Sequence, residues 1–167
     1  MPSLLEQAPV TGNITAFLDR IGIPWSEASL GDEEFLPGVR IEKGTLLIDP
    51  SRLSWPGDIL HEAGHIAITP PSLRAALGGK LEVTPADEMA TLAWSYAAAL
   101  GCGIDPAIVF HEGGYKSSGS HLNAQFAMGS GPGVPMLQWF RMTRQYPQMI
   151  SWLREIEDPT EISPTQS

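Results

Sequence analysis

Cysteine is almost absent from this chain, since Cys102 is the only one among 167 residues. An internal disulfide is therefore impossible, which excludes the small secreted domains that depend on disulfides. Basic residues are also scarce, because 10 Lys and Arg stand against 19 Asp and Glu, giving a net charge of −9. Nucleic acid and anionic membrane surfaces both attract a basic face, so we expect neither as a partner.

Long apolar runs are missing as well. The longest, near Leu92–Leu100, is much shorter than the roughly 20 residues that a membrane-spanning helix needs. Residues 1–10 lack the basic cluster that begins a signal peptide, so we expect a cytoplasmic protein. An apolar content of 43% supplies one core. We predict a single domain over residues 1–158 and a frayed polar tail over 159–167, and the sequence does not indicate an oligomeric state.

Hydrophobic periodicity in the first third of the chain predicts a helix and a hairpin. The helix should cover Ile14–Ile21, capped by Asn13 and stopped by Gly22. Residues 26–35 are acidic, and for them we expect a turn or a short helix. In Val39–Ile48, apolar and polar residues alternate around a Lys43-Gly44 turn, which is typical of a β-hairpin.

The remaining elements are predicted to be mainly helical, which makes the fold class α+β. One helix should run from Ser54 or Pro56 to about Ile68. The next has Thr84 as N-cap, Asp87 closing a capping box, and an end at Leu100 with Gly101 as C-cap. Residues 101–133 are rich in Gly and Ser, with short helices expected near Ala107 and over Leu122–Ala127. Pro135–Glu157 is predicted as one helix that Pro147 kinks or splits.

The sequence His61-Glu62-Ala63-Gly64-His65 carries the clearest chemical signal. At 3.6 residues per turn, the two histidines lie on one helix face, where both imidazoles can reach one tetrahedral Zn²⁺. Glu62 is offset by one residue, so it flanks the metal and is placed to act as the general base. Gly64 has no side chain, which would allow another helix to approach closely.

Two histidines need a third ligand to hold a metal well. Ile68 and Pro71 stand where a metzincin would have glycine and histidine, so that class is excluded. A carboxylate on the following helix is the remaining common choice, and Glu88 in its first turn fits best. Glu82, before this helix, and Asp87, in its cap, are the alternatives.

The HExxH pattern followed by the helix Asp87–Leu100, alanine-rich after its glutamate, resembles the mini-gluzincins, including the ImmA/IrrE-type metallopeptidases. The resemblance covers roughly Val39–Leu100. It implies a compact gluzincin core with a small sheet packed on the HExxH helix and the glutamate helix. It also implies His61, His65 and Glu88 as zinc ligands, Glu62 as general base, and a peptide or protein substrate. Ala90 stands where this family often has Asn or Asp, so support for the ligands must come from elsewhere.

Further side chains are candidates for supporting roles. Asp58 is expected either to accept a hydrogen bond from a ligand histidine or to cap its helix. Thr91 and Ser95 follow Glu88 on one helix face, where ordinary packing is the favoured interpretation. Peptide hydrolysis also needs a donor to the developing oxyanion. For that role the Gly/Ser-rich segment, whose composition is typical of a loop, offers three residues: Tyr115 and His111, ranked first, and then His121.

The strand Thr45–Ile48 precedes the HExxH helix, and we expect it either to pair with an extended peptide or to be an ordinary core strand. Trp55, Trp94, Trp139 and Trp152 are expected in the core. The leading hypothesis is a zinc metallopeptidase. The alternatives are a zincin-like module that binds zinc without catalysis, and a helical protein in which HExxH is coincidental.

Overall fold

The structure is a computed structural model that describes residues 4–79, 82–115 and 118–160. Its helices are α1 (Leu4–Ile21), α2 (Gly57–Ile68), α3 (Pro71–Arg74), α4 (Pro85–Cys102), α5 (Glu112–Tyr115), α6 (Ser118–Ala127) and α7 (Val134–Trp139), with a 3₁₀ turn at Pro106–Ile108. Its strands are β1 (Trp25–Glu27), β2 (Val39–Glu42), β3 (Thr45–Ile48), β4 (Thr143–Gln145) and β5 (Gln148–Met149). The structure mixes helices with small sheets, which is compatible with the predicted α+β class. No described helix has both the length and the apolar character needed to cross a bilayer.

The main sheet has three strands in the order β1-β3-β2. The predicted hairpin is present, with Lys43 and Gly44 at positive φ in its turn, and β1 adds to β3 in parallel. The strand β3 is therefore central and hydrogen-bonded on both sides. The expectation that Thr45–Ile48 pairs with an extended peptide is wrong, and its alternative, an ordinary core strand, holds; β2 is an edge strand.

The helices α2 and α4 form the centre of the fold, and the sheet packs on α2 through the buried side chains of β2 and β3. Contact between the two helices depends on Gly64. A Cβ at this position would lie 2.8 Å from Thr91 Cγ2 and 3.2 Å from Trp94 Cε3. The predicted close approach at this glycine is confirmed, and it brings the HExxH segment against the first turns of α4.

The carboxyl end of α2 is fastened by side chains from later in the chain. A helix leaves its last four carbonyls without partners inside the helix. Here the Thr69 hydroxyl donates to the carbonyl of His65, and Arg74 donates to that of Ile66. Arg154 donates to the last two, from its backbone N–H to Ala67 and from its guanidinium to Ile68. Two guanidinium groups also lie favourably at the negative end of the helix dipole.

Helix ends differ from the prediction at three places. The helix α6 begins at Ser118 rather than at Leu122. The helix α1 begins at Leu4 and contains Pro9, so Asn13 is inside it and does not cap it. The helix α4 continues to Cys102 and ends on Gly103 at φ 72°, because Gly101 is packed against Phe17 and Trp152 inside the helix.

The helix predicted over Pro135–Glu157 is also wrong. It stops at Trp139, and the chain then forms the β4–β5 hairpin, with Pro147 in the turn between the strands. Arg141, at φ 61°, is incompatible with a continuing helix.

Residues 26–35 are only partly as predicted, because β1 includes Ser26 and Glu27. Most of the predicted tail, residues 161–167, lies outside the described residues.

Candidate metal centre

The helix α2 presents His61 and His65 on one face, as their spacing predicts. Their ring centroids are 4.9 Å apart and the ring planes are nearly perpendicular, at 84°. His65 is 5% exposed, and both flanks of the motif are apolar and buried. The burial of this face anchors α2 in the core, so the two imidazoles are held by a rigid element.

Glu88 meets both histidines from the first turn of α4. Its Oε1 lies 3.0 Å from His61 Nε2, and its Oε2 lies 3.4 Å from His65 Nε2. One ligand atom from each residue can be chosen so that all three lie within 4.8 Å of one another. Ligands about 2.1 Å from a tetrahedral Zn²⁺ are about 3.4 Å apart, so the donor set fits this ion in type and spacing. The three residues can therefore hold a metal ion.

The two alternative carboxylates are placed differently. Asp87 lies in the α4 cap, where its backbone N–H donates to Thr84 Oγ1 at 3.1 Å and its Oδ2 accepts from the same hydroxyl at 2.8 Å. In the predicted capping box, the Asp87 carboxylate would accept from the backbone N–H of Thr84, whereas here it accepts from the Thr84 hydroxyl. Glu82 is exposed ahead of the helix. Among the described residues, neither carboxylate belongs to the metal-binding group.

Support for His65 comes from Thr91. Its hydroxyl lies 3.3 Å from His65 Nδ1, while Nε2 of the same ring faces Glu88. A bond of this kind fixes the tautomer and the orientation of a ligand histidine. The favoured interpretation of Thr91 as ordinary packing is therefore wrong, whereas Ser95 does pack within the helices, bonding to Thr91 O at 2.7 Å. Thr91 supplies the support that Ala90 cannot give.

The electrostatics of the site separate the roles of its titratable groups. Burial alone would lower the pKa of His61, but the hydrogen bond and the charge of Glu88 outweigh it, and the pKa is raised. Burial, together with the charge of His61, lowers the pKa of His65 to about 4. The hydrogen bond from His61 lowers the pKa of Glu88. The three groups are therefore electrostatically coupled: Glu88 favours the protonated form of His61, and the charge of His61 disfavours protonation of His65.

Glu62 lies beside the cluster and is not part of it. Burial raises its pKa to about 7, although the charge of His61 opposes the shift, and the charges of Glu88, Asp58 and Glu34 add to it. A carboxyl group with a pKa near neutrality can accept and release a proton under physiological conditions. No local pattern predicts that Glu34 lies close enough to contribute.

A second polar cluster lies at the amino end of α2. His111 Nε2 is 2.7 Å from Asp58 Oδ1, and the ring stacks on Trp55 at 4.3 Å with an interplanar angle of 4°. Asp58 is 5% exposed. The sequence predicts that Asp58 either caps α2 or bonds to a ligand histidine. It does neither, because Pro56 is the N-cap and the carboxylate bonds to His111. The sequence offered no signal for this pairing or for the contact with Trp55.

The glycines around this cluster explain its close packing. A Cβ on Gly57 would lie 2.3 Å from Ile108 O, and one on Gly113 would lie 2.5 Å from Trp55 Nε1. The segment that carries His111 therefore lies directly on the first turn of α2, one helical turn before His61.

Of the four tryptophans expected in the core, Trp94 is fully buried and Trp139 is half exposed.

The other two candidate donors are not brought to the site by any described contact. His121 is exposed on α6. The side chain of Tyr115 lies outside the described part of the structure, so its predicted role stays a prediction. The Gly/Ser-rich segment is also more regular than its composition suggested, because α5 and α6 lie within it.

Comparison with known proteins identifies no relative. No family model, no curated protein and no solved structure matches the chain.

Proposed function

We propose that this chain is a zinc-dependent metallopeptidase with a mini-gluzincin core, similar to the ImmA/IrrE-type enzymes. The observation that carries the proposal is the convergence of His61, His65 and Glu88 beside a partly buried Glu62 whose pKa is raised to about 7. Three donors from two rigid helices, with a carboxyl group ready to exchange a proton, are what metal-assisted hydrolysis of an amide requires.

The histidines and Glu88 would hold the ion, since they are the only group of this kind among the described residues. When bound, Zn²⁺ supplies Lewis-acid chemistry, polarising the scissile carbonyl and making water a better nucleophile at neutral pH. Glu62 takes the proton from the attacking water. The water oxygen bonds to the carbonyl carbon, the carbon–nitrogen bond breaks, and Glu62 passes the proton to the leaving amine.

The donor to the developing oxyanion stays a prediction from the sequence. Asp58 accepts a hydrogen bond from one ring nitrogen of His111 and Trp55 covers one ring face, so the imidazole is fixed in a buried position at the amino end of α2. His121 is exposed on α6.

The first experiment measures zinc content and affinity in purified protein. We expect about one equivalent of zinc in the wild-type chain and at least about a tenfold loss of affinity in Glu88→Ala, because a ligand is removed. Glu82→Ala is the matched control, since it removes an exposed carboxylate from the same part of the chain and should leave affinity unchanged. Protein that stays free of zinc after supplementation would leave HExxH as a coincidence.

The second experiment separates catalysis from binding. Glu62→Gln should retain zinc and lose all cleavage of a broad peptide library, because the amide cannot accept the proton. Equal cleavage by this variant would contradict the role of Glu62. Zinc binding without cleavage by the wild-type protein would favour the alternative, a zincin-like module that binds zinc and is not a peptidase.

A further inference from the structure

A buried arginine that forms no direct ion pair within the described part of the chain lines the same recess as the candidate ligand His65, and the charges of Asp87, Glu157 and Asp158 act on it from farther away. Arg154 is 8% exposed, and among the described residues no carboxylate oxygen lies within ion-pairing distance of it. Its guanidinium donates to three backbone carbonyls, those of Ile156, Ile68 and Glu157. An arginine has five N–H donors, so these bonds account for three of them. The group also stacks on Phe140 at 4.2 Å, which fixes its plane.

This arginine lines a recess that also reaches a candidate metal ligand. The recess has a volume of about 120 Å³. His65 and Arg154 line it together with apolar side chains that include Ile68, Leu77 and Val83. A volume of this size accommodates a small group such as a carboxylate with its neighbouring atoms. The recess therefore joins a fixed cation to the metal-binding face of α2.

Two acidic residues, Glu82 and Asp87, share the lining. Glu82 is exposed, so water screens its charge. Asp87 accepts the Thr84 hydroxyl in the α4 cap. The cation is buried while the acids are at least partly solvated, and an interaction in the buried environment is the stronger one. The recess thus contains one buried cation, with the Asp87 carboxylate close enough for its charge to act on it and with Glu82 exposed to water.

We propose that the recess binds the terminal α-carboxylate of a peptide, so that the protein hydrolyses peptides close to their carboxyl end. The inference rests on the proposed function and adds a substrate class to it. An arginine suits this ligand because its planar donors match the two oxygens of a carboxylate.

The test uses the zinc-loaded full chain and three peptides of the same internal sequence. The first peptide ends in a free α-carboxylate and the second in an α-amide. The third ends in a glutamate whose α-carboxyl is amidated, so that its terminal carboxylate is in the side chain. We expect kcat/KM for the free acid to exceed that for either amide by about tenfold or more, as for a charge-assisted hydrogen bond. Binding of the same peptides to zinc-loaded Glu62→Gln, measured by calorimetry, should show the same preference.

Arginine variants identify the residue responsible. Arg154→Met should abolish the preference in both assays. Arg20→Met is the matched control, because Arg20 also bonds to a carbonyl at a helix end, that of Gly101 in α4, but neither contacts Arg154 in the described bonds nor lines the recess. It should lower stability and keep the preference. If Arg154→Met does not fold, Asp87→Asn replaces it, and removing that negative charge should increase the preference.

The outcomes separate the two proposals. Equal cleavage of acid and amide would overturn the carboxylate site and leave the peptidase standing, with Arg154 serving only to fasten α2. Equal binding of the free acid and the amidated glutamate would show that any carboxylate suffices, which also overturns it. Acid-selective binding that depends on Arg154, without cleavage of any peptide, would support the site while the peptidase fails.

Discussion

Replacing Gly64 with alanine tests how the two site helices are held together. The added Cβ would lie 2.8 Å from Thr91 Cγ2, 3.2 Å from Thr91 O and 3.2 Å from Trp94 Cε3. Two of these atoms belong to the residue that contacts His65 Nδ1, and Glu88 lies one turn earlier on the same helix. Relief of the clash requires either rotation of the Thr91 side chain, which breaks its contact with His65 Nδ1, or movement of α4 and Glu88 away from the histidines.

The expected energy follows from two opposing effects. Overpacking a dense interface costs about 1–3 kcal/mol, whereas alanine gains about 1 kcal/mol over glycine inside a helix. Gly12 provides a matched control, because it is also helical and a Cβ there meets nothing within 4 Å. Gly12→Ala should therefore stabilise the protein, and its free energy of unfolding should exceed that of Gly64→Ala by about 1–3 kcal/mol.

Urea unfolding and zinc competition measure the two consequences separately. Gly64→Ala should lose at least about tenfold in zinc affinity, since the support of the ligands is disturbed. Gly12→Ala should keep the wild-type affinity. If the two alanine variants unfold alike and bind zinc alike, the close approach at Gly64 does not position the metal centre, and the reasoning is refuted.

Three further predictions concern residues away from the ligands. Hydrogen bonding to Ser51 lowers the pKa of Asp49. The ionised carboxylate therefore stabilises the fold above the ordinary pKa of 3.8, and this stabilisation is lost as pH falls through the lowered pKa. In urea unfolding, the difference in stability between wild type and Asp49→Asn should shrink below pH 3.8. Tyr146→Phe removes the bond to Ala93 O at 2.7 Å and should cost about 1 kcal/mol in the same assay. Asp58→Ala leaves a buried histidine without its carboxylate and should cost about 2 kcal/mol, whereas unchanged thermal unfolding would show that the pair contributes nothing.

The parts of the fold that the sequence predicts are those that local interactions determine. The β2–β3 hairpin follows from alternation and from a turn that needs positive φ at Lys43 and Gly44. The start of α4 follows from Thr84, whose hydroxyl caps the helix. The juxtaposition of His61 and His65 is predictable for the same reason, since helical spacing places them together, whereas Glu88 reaches them from a separate helix.

The parts that sequence reasoning missed depend on contacts between distant segments. The strand β1 is three residues long and exists because it pairs with β3. The Pro135–Glu157 region contains good helix formers, yet pairing between β4 and β5 prevails over their local preference. The bond between Asp58 and His111 joins residues 53 positions apart. No local pattern encodes such a pairing.

The fastening of α2 by Arg154 has a consequence for the order of assembly. The bond from Arg154 to Ile68 closes a loop of 86 positions. During synthesis, the helix bearing the histidines emerges long before the guanidinium that secures its last turn. Until that late segment docks, this turn should fray, and contacts of such high sequence separation form slowly. Competence to bind metal would then arise only near the end of folding, whatever the speed at which the hairpin and α2 themselves appear.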